Sequence, residues 1–162
     1  MNQIPTVRVC ELGKIKTSTV ELGPKGKQGI PGPPGPPGSG TVFSAVASVD
    51  LKAGQAVYAN GLGQLALATA TIYGTTKVLG LVVADTATGF VADVTASVLT
   101  LTDWTPVTGA STLTAGAQYY LDLTVGSLST VAPSSTGQAL VFVGKAISTT
   151  TIEVSVSFPI LL

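Results

Sequence analysis

Glycine stands at every third position of one stretch of the chain, at Gly23, Gly26, Gly29, Gly32, Gly35 and Gly38. The positions between are rich in proline: the run reads Gly23-Pro-Lys-Gly-Lys-Gln-Gly-Ile-Pro-Gly-Pro-Pro-Gly-Pro-Pro-Gly38. Three polyproline-II strands can wind into a triple helix only where glycine occupies the crowded axis, and proline presets φ at the other two positions. A flexible Pro/Gly linker is the alternative, but linkers have no reason to keep glycine in register through six repeats. The period therefore predicts a collagen-like triple helix over residues 23–40, with this chain one third of a homotrimer.

Eighteen residues at about 3.1 Å each make a rod on the order of 50 Å long, a spacer and not a filament. So few triplets form too few interchain bonds to offset the entropy of assembly. A neighbouring domain that trimerises by itself would supply the effective concentration and set the stagger. Lys25 and Lys27 lie in non-glycine positions, where outward charge is tolerated and serves solubility.

The glycine run divides the chain into an N-terminal block of residues 1–22, the rod of residues 23–40 and a domain of residues 41–162. That domain holds only nine charged residues, three positive (Lys52, Lys77, Lys145) against six negative (Asp50, Asp85, Asp93, Asp103, Asp122, Glu153). Neither this balance nor that of residues 1–40 is basic enough for nucleic-acid binding. So sparse a charge on an apolar, Thr/Ala/Val/Leu-rich domain predicts surface buried between subunits. No stretch has the length of a membrane span, and the first residues lack the basic start and apolar core of a signal peptide. Membrane insertion is not expected, and assembly in the cytoplasm is. Cys10 is the only cysteine, so no intrachain disulfide can form; a reduced thiol without a structural role is expected.

Short alternating or β-branched runs separated by turn signals fill residues 41–162: 55–59, 64–67, 78–83, 90–94, 98–102, 118–123, 140–143 and 151–158. They predict an all-β domain of about eight or nine strands, a trimeric β-barrel or β-sandwich tip. Residues 42–49 fit both a helical and a strand spacing; their serines and β-branched residues favour a strand. Asn60-Gly61 predicts a two-residue type I′ hairpin, and Val125-Gly126 and Ser135-Thr-Gly137 mark further turns. A near-repeat runs through the domain: Leu51-Lys-Ala-Gly54, Tyr58, Gly63-Gln-Leu65 and the apolar run 78–83 are echoed by Leu113-Thr-Ala-Gly116, Tyr120, Gly126-Ser-Leu128 and 140–147, at offsets of 62 to 64 residues. Each unit reads as a turn at Ala-Gly, a strand with the Tyr, a hairpin at the later Gly and a long buried strand. The final strand 151–158 is expected to close an edge.

The chain has no histidine, so histidine general-base catalysis and histidine metal ligation are absent. Serine and threonine lack an activating partner. Asp85 and Asp93 flank one strand-turn unit and are the only candidates for a glycosidase pair; solvated turn carboxylates explain them as well. Aspartates gathered on a threefold axis could hold Ca²⁺, with exposed turn acids again the simpler reading. No catalytic residue, cofactor or metal ligand is assigned, and the chain is read as not an enzyme. Trp104, Tyr119 and Tyr120 are the candidate receptor contacts. Trp104 in Asp103-Trp104-Thr105-Pro106 could stack on a sugar or pack into the core. Tyr119 and Tyr120, adjacent on a strand, point to opposite faces, which places one in the core and the other at an interface or in solvent.

A short N-terminal block, a brief Pro-Gly-Pro-Pro run and a Thr/Ala/Gly-rich β tip resemble a bacteriophage virion fibre, in particular short head or capsid decoration fibres and collagen-containing tail fibres. Leu113-Thr-Ala-Gly-Ala-Gln-Tyr-Tyr-Leu-Asp122, Gly126-Ser-Leu-Ser-Thr-Val-Ala-Pro133 and Val141-Phe-Val-Gly-Lys-Ala-Ile147 are similar to segments recurring in such proteins. The resemblance implies a homotrimer in the virion, held to a capsid or tail protein by residues 1–22 and presenting the tip to a host glycan or protein, or to solvent. Thr6-Val-Arg-Val-Cys10 and Thr17-Ser-Thr-Val20 would be the β-like stretches of that anchor. Spore-surface fibres and trimeric jelly rolls of the complement and tumour-necrosis-factor type share the collagen-plus-globular layout but carry longer collagen tracts. A polysaccharide-degrading spike would need a longer β-solenoid and more carboxylates.

Overall fold

The computed structural model describes residues 6–11, 14–19, 42–71 and 73–162. The glycine run, and with it the expected collagen helix, lies outside the described residues. The chain divides into two units, Met1–Pro36 and Pro37–Leu162. In the first, β1 (Thr6–Glu11) and β2 (Lys14–Thr19) pair antiparallel, with Thr6 opposite Thr19 and Glu11 opposite Lys14. The two β-like stretches of the N-terminal block thus pair with each other.

The second unit is almost entirely β. Its first half contributes β3 (Val42–Val46), β4 (Ala56–Ala59), β5 (Leu65–Leu67), β6 (Gly80–Val82) and β7 (Val91–Thr95). Its second half contributes β8 (Val98–Thr100), a one-turn helix α1 (Thr105–Thr108), β9 (Gln118–Leu121), β10 (Leu128–Ser129), β11 (Ala139–Leu140), β12 (Phe142–Ala146), β13 (Thr151–Val154) and β14 (Ile160–Leu161). Residues 42–46 form the strand that their serines and β-branched side chains favour.

Two five-stranded antiparallel sheets result, ordered β3-β7-β6-β4-β5 and β8-β13-β12-β9-β10. The second order is the first with each strand replaced by its counterpart, so the near-repeat read from the sequence extends to topology. Register follows too: Ala59 faces Leu65 as Leu121 faces Leu128, and Leu81 faces Thr95 as Lys145 faces Glu153. The Ala-Gly turns match as well. Gly54 and Gly116 have φ of 85° and 81°, a region that strains any residue with a Cβ. The turns close with Gln55 N donating to Lys52 O at 3.2 Å and Ala117 N donating to Thr114 O at 3.0 Å.

The tip is all-β as expected; of the barrel and sandwich forms open to it, the sheets are not closed as a barrel would be. The edges of the first meet at a single parallel bridge between Ala47 and Leu65, where Ser48 N donates to Leu65 O at 2.8 Å. Two expectations fail. Asn60-Gly61 does not make a two-residue hairpin: residues 60–64 form a longer loop, in which the Asn60 Oδ1 accepts from Leu62 N and Gln64 N and the positive φ falls at Gly63. The asparagine side chain stands in for a backbone acceptor and widens the turn. The run 151–158 is not one edge strand. Its first part, β13, lies inside the second sheet between β12 and β8; past Val154 the chain keeps only single bonds to β12, Ser155 N donating to Val143 O and Ser157 N to Phe142 O, each at 2.9 Å, before β14 pairs with β11.

Successive residues of a strand point to opposite faces, and the first sheet uses both. Val57 and Val82 enter the core of the first repeat with Leu51, Leu65 and Val94, whereas Ala56 and Leu81 enter the larger core of the second. Residues 68–70 extend this junction: Gly126 N donates to Ala68 O at 2.7 Å, Ala70 N to Asp122 O at 3.0 Å and Ala139 N to Ala70 O at 2.9 Å. The counterparts of Ala56 and Leu81 on the second sheet, Gln118 and Lys145, are exposed. The repeats therefore join head to tail, and the second ends in a polar face.

Candidate functional site

Asp103 Oδ1 accepts from Thr105 N at 2.9 Å and Thr105 Oγ at 2.6 Å, which fixes the start of α1 and turns Trp104 inward. Trp104 is 0% exposed, and its Nε1 donates to Thr150 O at 3.0 Å. Of the two roles open to it, core packing is the one adopted. A fully buried ring has no face to offer a sugar, so Trp104 is withdrawn as a receptor contact.

Tyr119 and Tyr120 divide as strand alternation requires. Tyr119 is buried and its hydroxyl accepts from Thr114 N at 2.9 Å, holding the second Ala-Gly turn against β9; it too is withdrawn as a contact. Tyr120 is half-buried on the outer face. Its ring meets Phe142 edge-on at a centroid distance of 6.0 Å and an angle of 71°, and its hydroxyl donates to Gln118 Oε1 at 2.8 Å. Of the three aromatic candidates, only Tyr120 stays accessible. Phe142, which joins it, gave no sequence signal beyond lying in an apolar run.

Asp50, Asp85 and Asp103 sit between strands, whereas Asp93 lies within β7 and Glu153 within β13. Asp85 accepts from Lys52 Nζ at 2.8 Å and from Ala53 N at 2.9 Å, and these bonds, with the Lys52 bond the larger effect, hold its carboxyl below the ordinary aspartate range. A glycosidase acid needs the opposite shift. Asp93 accepts from Ser44 Oγ at 2.5 Å across β3 and β7. Asp50 is lowered by the backbone and then the side chain of Thr88, and Asp103 by the side chain and then the backbone of Thr105. Among the described residues no group of three or more metal-ligating side chains comes together, and no helix is long and apolar enough to cross a membrane.

Apolar side chains are exposed at several places among the described residues, two of which bear on function. A cleft of about 650 Å³ is lined by Tyr73, Lys77, Leu79, Val156 and Phe158, the last 93% exposed. On the first sheet, β3 exposes Val42 and Val46, with Val91 of β7 opposite Val46. The scarcity of charge led to an expectation of surface buried between subunits but pointed to no particular strand. Alternation is the same whether an outer face meets water or another protein. No protein-family model matches the chain, and no curated protein matches it in sequence.

Proposed function

We propose that this protein is a structural fibre of a bacteriophage particle: a homotrimer anchored to a capsid or tail protein through residues 1–22, spaced by a collagen-like rod, and ending in a β-rich tip for host attachment or capsid decoration. The observation that carries this reading is the six-glycine period directly preceding a charge-poor β domain with exposed Val42, Val46, Val91 and Phe158. A strict glycine period has a use only where three chains share an axis, and exposed apolar patches are what a subunit interface covers. Two five-stranded sheets of one repeated order differ from the eight-stranded jelly roll of the complement type, which leaves that alternative supported by the collagen run alone. Sedimentation of the full chain should give a species near three times 16.2 kDa; a monomer at micromolar concentration would end the proposal. Virions labelled at the tip should carry the label at head or tail.

Host binding would be weak per site and gain from three copies on each of many fibres. The accessible candidate is Tyr120 with Phe142. Tyr120→Ala should lower adsorption while leaving the trimer intact. Equal adsorption by wild-type and fibre-less virions would leave decoration as the sole role.

A further inference from the structure

We infer that the outer face of β3, with Val42 and Val46 joined by Val91 of β7, is a contact between copies of this chain around the threefold axis, a neck directly below the rod. The inference rests on the trimer reading above. The last triplet of the glycine run ends at residue 40 and β3 begins at Val42. Two residues span at most about 7 Å. In a triple helix every chain lies beside the axis, so the start of β3 is held within on the order of 10 Å of it. Three copies of the strand cannot stand that close without meeting.

The strand is made for such a meeting. Over Val42–Val46 it is an edge of the first sheet paired with β7 alone, and only its continuation at Ala47 reaches β5, through the single bridge to Leu65. Edge strands facing solvent are ordinarily blunted by charge, proline or a bulge; β3 carries none of these and its ladder with β7 is regular from Val42 to Val46. Its outward residues are Val42, Ser44 and Val46, with Val42 46% exposed, and Val91 opposite Val46 is 63% exposed. Asp93, the one acid on this part of β7, is bonded to Ser44 and so is tied down beside the valines.

The duplication supplies an internal control. β8 is the counterpart edge of the second sheet, and register places Val98, opposite Glu153, where Val42 stands opposite Thr95. Val98 is 50% exposed, about as much as Val42, yet β8 follows β7 and not the rod. The two valines match in residue type and exposure; they differ in the covalent link to the axis and in the residue opposite, buried Thr95 for Val42 and exposed Glu153 for Val98.

The experiment uses the full chain. Val42→Asp and Val98→Asp are compared by sedimentation; both side chains are exposed, and because Val98 stands opposite Glu153 a thermal melt of each variant first checks that it is folded. Val42→Asp gathers three carboxylates at the axis and is expected to shift the trimer to monomer with at least a tenfold loss of association, while Val98→Asp stays trimeric. In parallel, Val42→Cys in a Cys10→Ser background carries a nitroxide, and the interchain distance should centre below about 30 Å, as the covalent reach to the axis demands. A trimer whose Val42 labels lie farther apart than that, or equal behaviour of the two aspartate variants, overturns the neck and leaves the trimer standing. A wild-type chain that sediments as a monomer overturns the trimer reading itself.

Discussion

Gly80 and Gly144 occupy the same place in the two sheets, each one residue before the residue that faces the neighbouring strand at Thr95 or Glu153. A Cβ at Gly80 would run into the carbonyl oxygen of Thr95, and a Cβ at Gly144 into that of Glu153. Both glycines let a strand of the sheet approach its neighbour closely. Neither has a positive φ, so the requirement is space and not conformation.

Gly80→Ala and Gly144→Ala should each destabilise the tip by about 1–3 kcal/mol or more, since the obstacle is backbone and cannot swing aside. Gly61→Ala is the control. Nothing lies within 4 Å of its Cβ position and its φ is ordinary, so its change should stay within about 1 kcal/mol and can be stabilising. Denaturant midpoints of the three variants decide the matter; an unaffected Gly144→Ala would mean that the two positions are not equivalent.

Trp104→Ala should cost about 3–5 kcal/mol, the usual range for emptying a buried aromatic site. Trp104→Phe should cost much less. Thr150 O would still accept from Leu101 N at 3.0 Å, so no carbonyl is stranded when the indole N–H goes. Thermal melting separates the two, and adsorption by any Trp104 variant that still folds should equal that of wild type.

Acid stability should depend on turn carboxylates. The folded-state pKa of Asp50, Asp85 and Asp103 lies below the ordinary 3.8. Each therefore contributes stability that is fully present above 3.8 and is lost as pH falls through the lower folded value. The difference in denaturation midpoint between wild type and Asp85→Asn should be constant near neutrality and shrink below the ordinary aspartate value. Lys52 is raised by the same pair, first through its bond to Asp85, so its share persists below the ordinary lysine value and is lost as pH rises through the raised one. Salt should weaken the effect, because the pair is exposed.

Gly32→Ala places three methyl groups on an axis that has no room for them. Circular dichroism should lose a low-temperature transition, and protease should cut between residues 23 and 40 sooner than in wild type. The tip, folded by its own apolar burial, should remain trimeric. Unchanged melting and cleavage would make the segment a plain linker.

Much of the tip was legible because its causes are local. Alternation set most of the strands, Ala-Gly pairs set the turns at Gly54 and Gly116, and the spacing of Leu51, Tyr58 and Leu65 against Leu113, Tyr120 and Leu128 disclosed the duplication. Asn60-Gly61 misled because the Asn60 side chain satisfies two backbone donors of a longer loop, a competition that dipeptide preference does not capture. The run 151–158 misled because its pattern cannot show that it has a neighbour on each side: β8 pairs with Thr151–Glu153, and β12 continues to accept from Ser155 N and Ser157 N outside the regular ladder.

The glycine period, the all-β character of the tip and the two-unit repeat can all be read along the chain, the first two as patterns of near neighbours and the third as one such pattern occurring twice. That Trp104 and Tyr119 are interior, that Tyr120 meets Phe142, and that the first sheet buries side chains on both faces at Ala56 and Leu81 while the second exposes Gln118 and Lys145 emerges only in the folded chain. Those outcomes depend on which face of a strand another segment reaches. Ala56 and Gln118 hold the same place in their repeats, yet one is buried and the other wet, because only the first repeat has the other packed on that side.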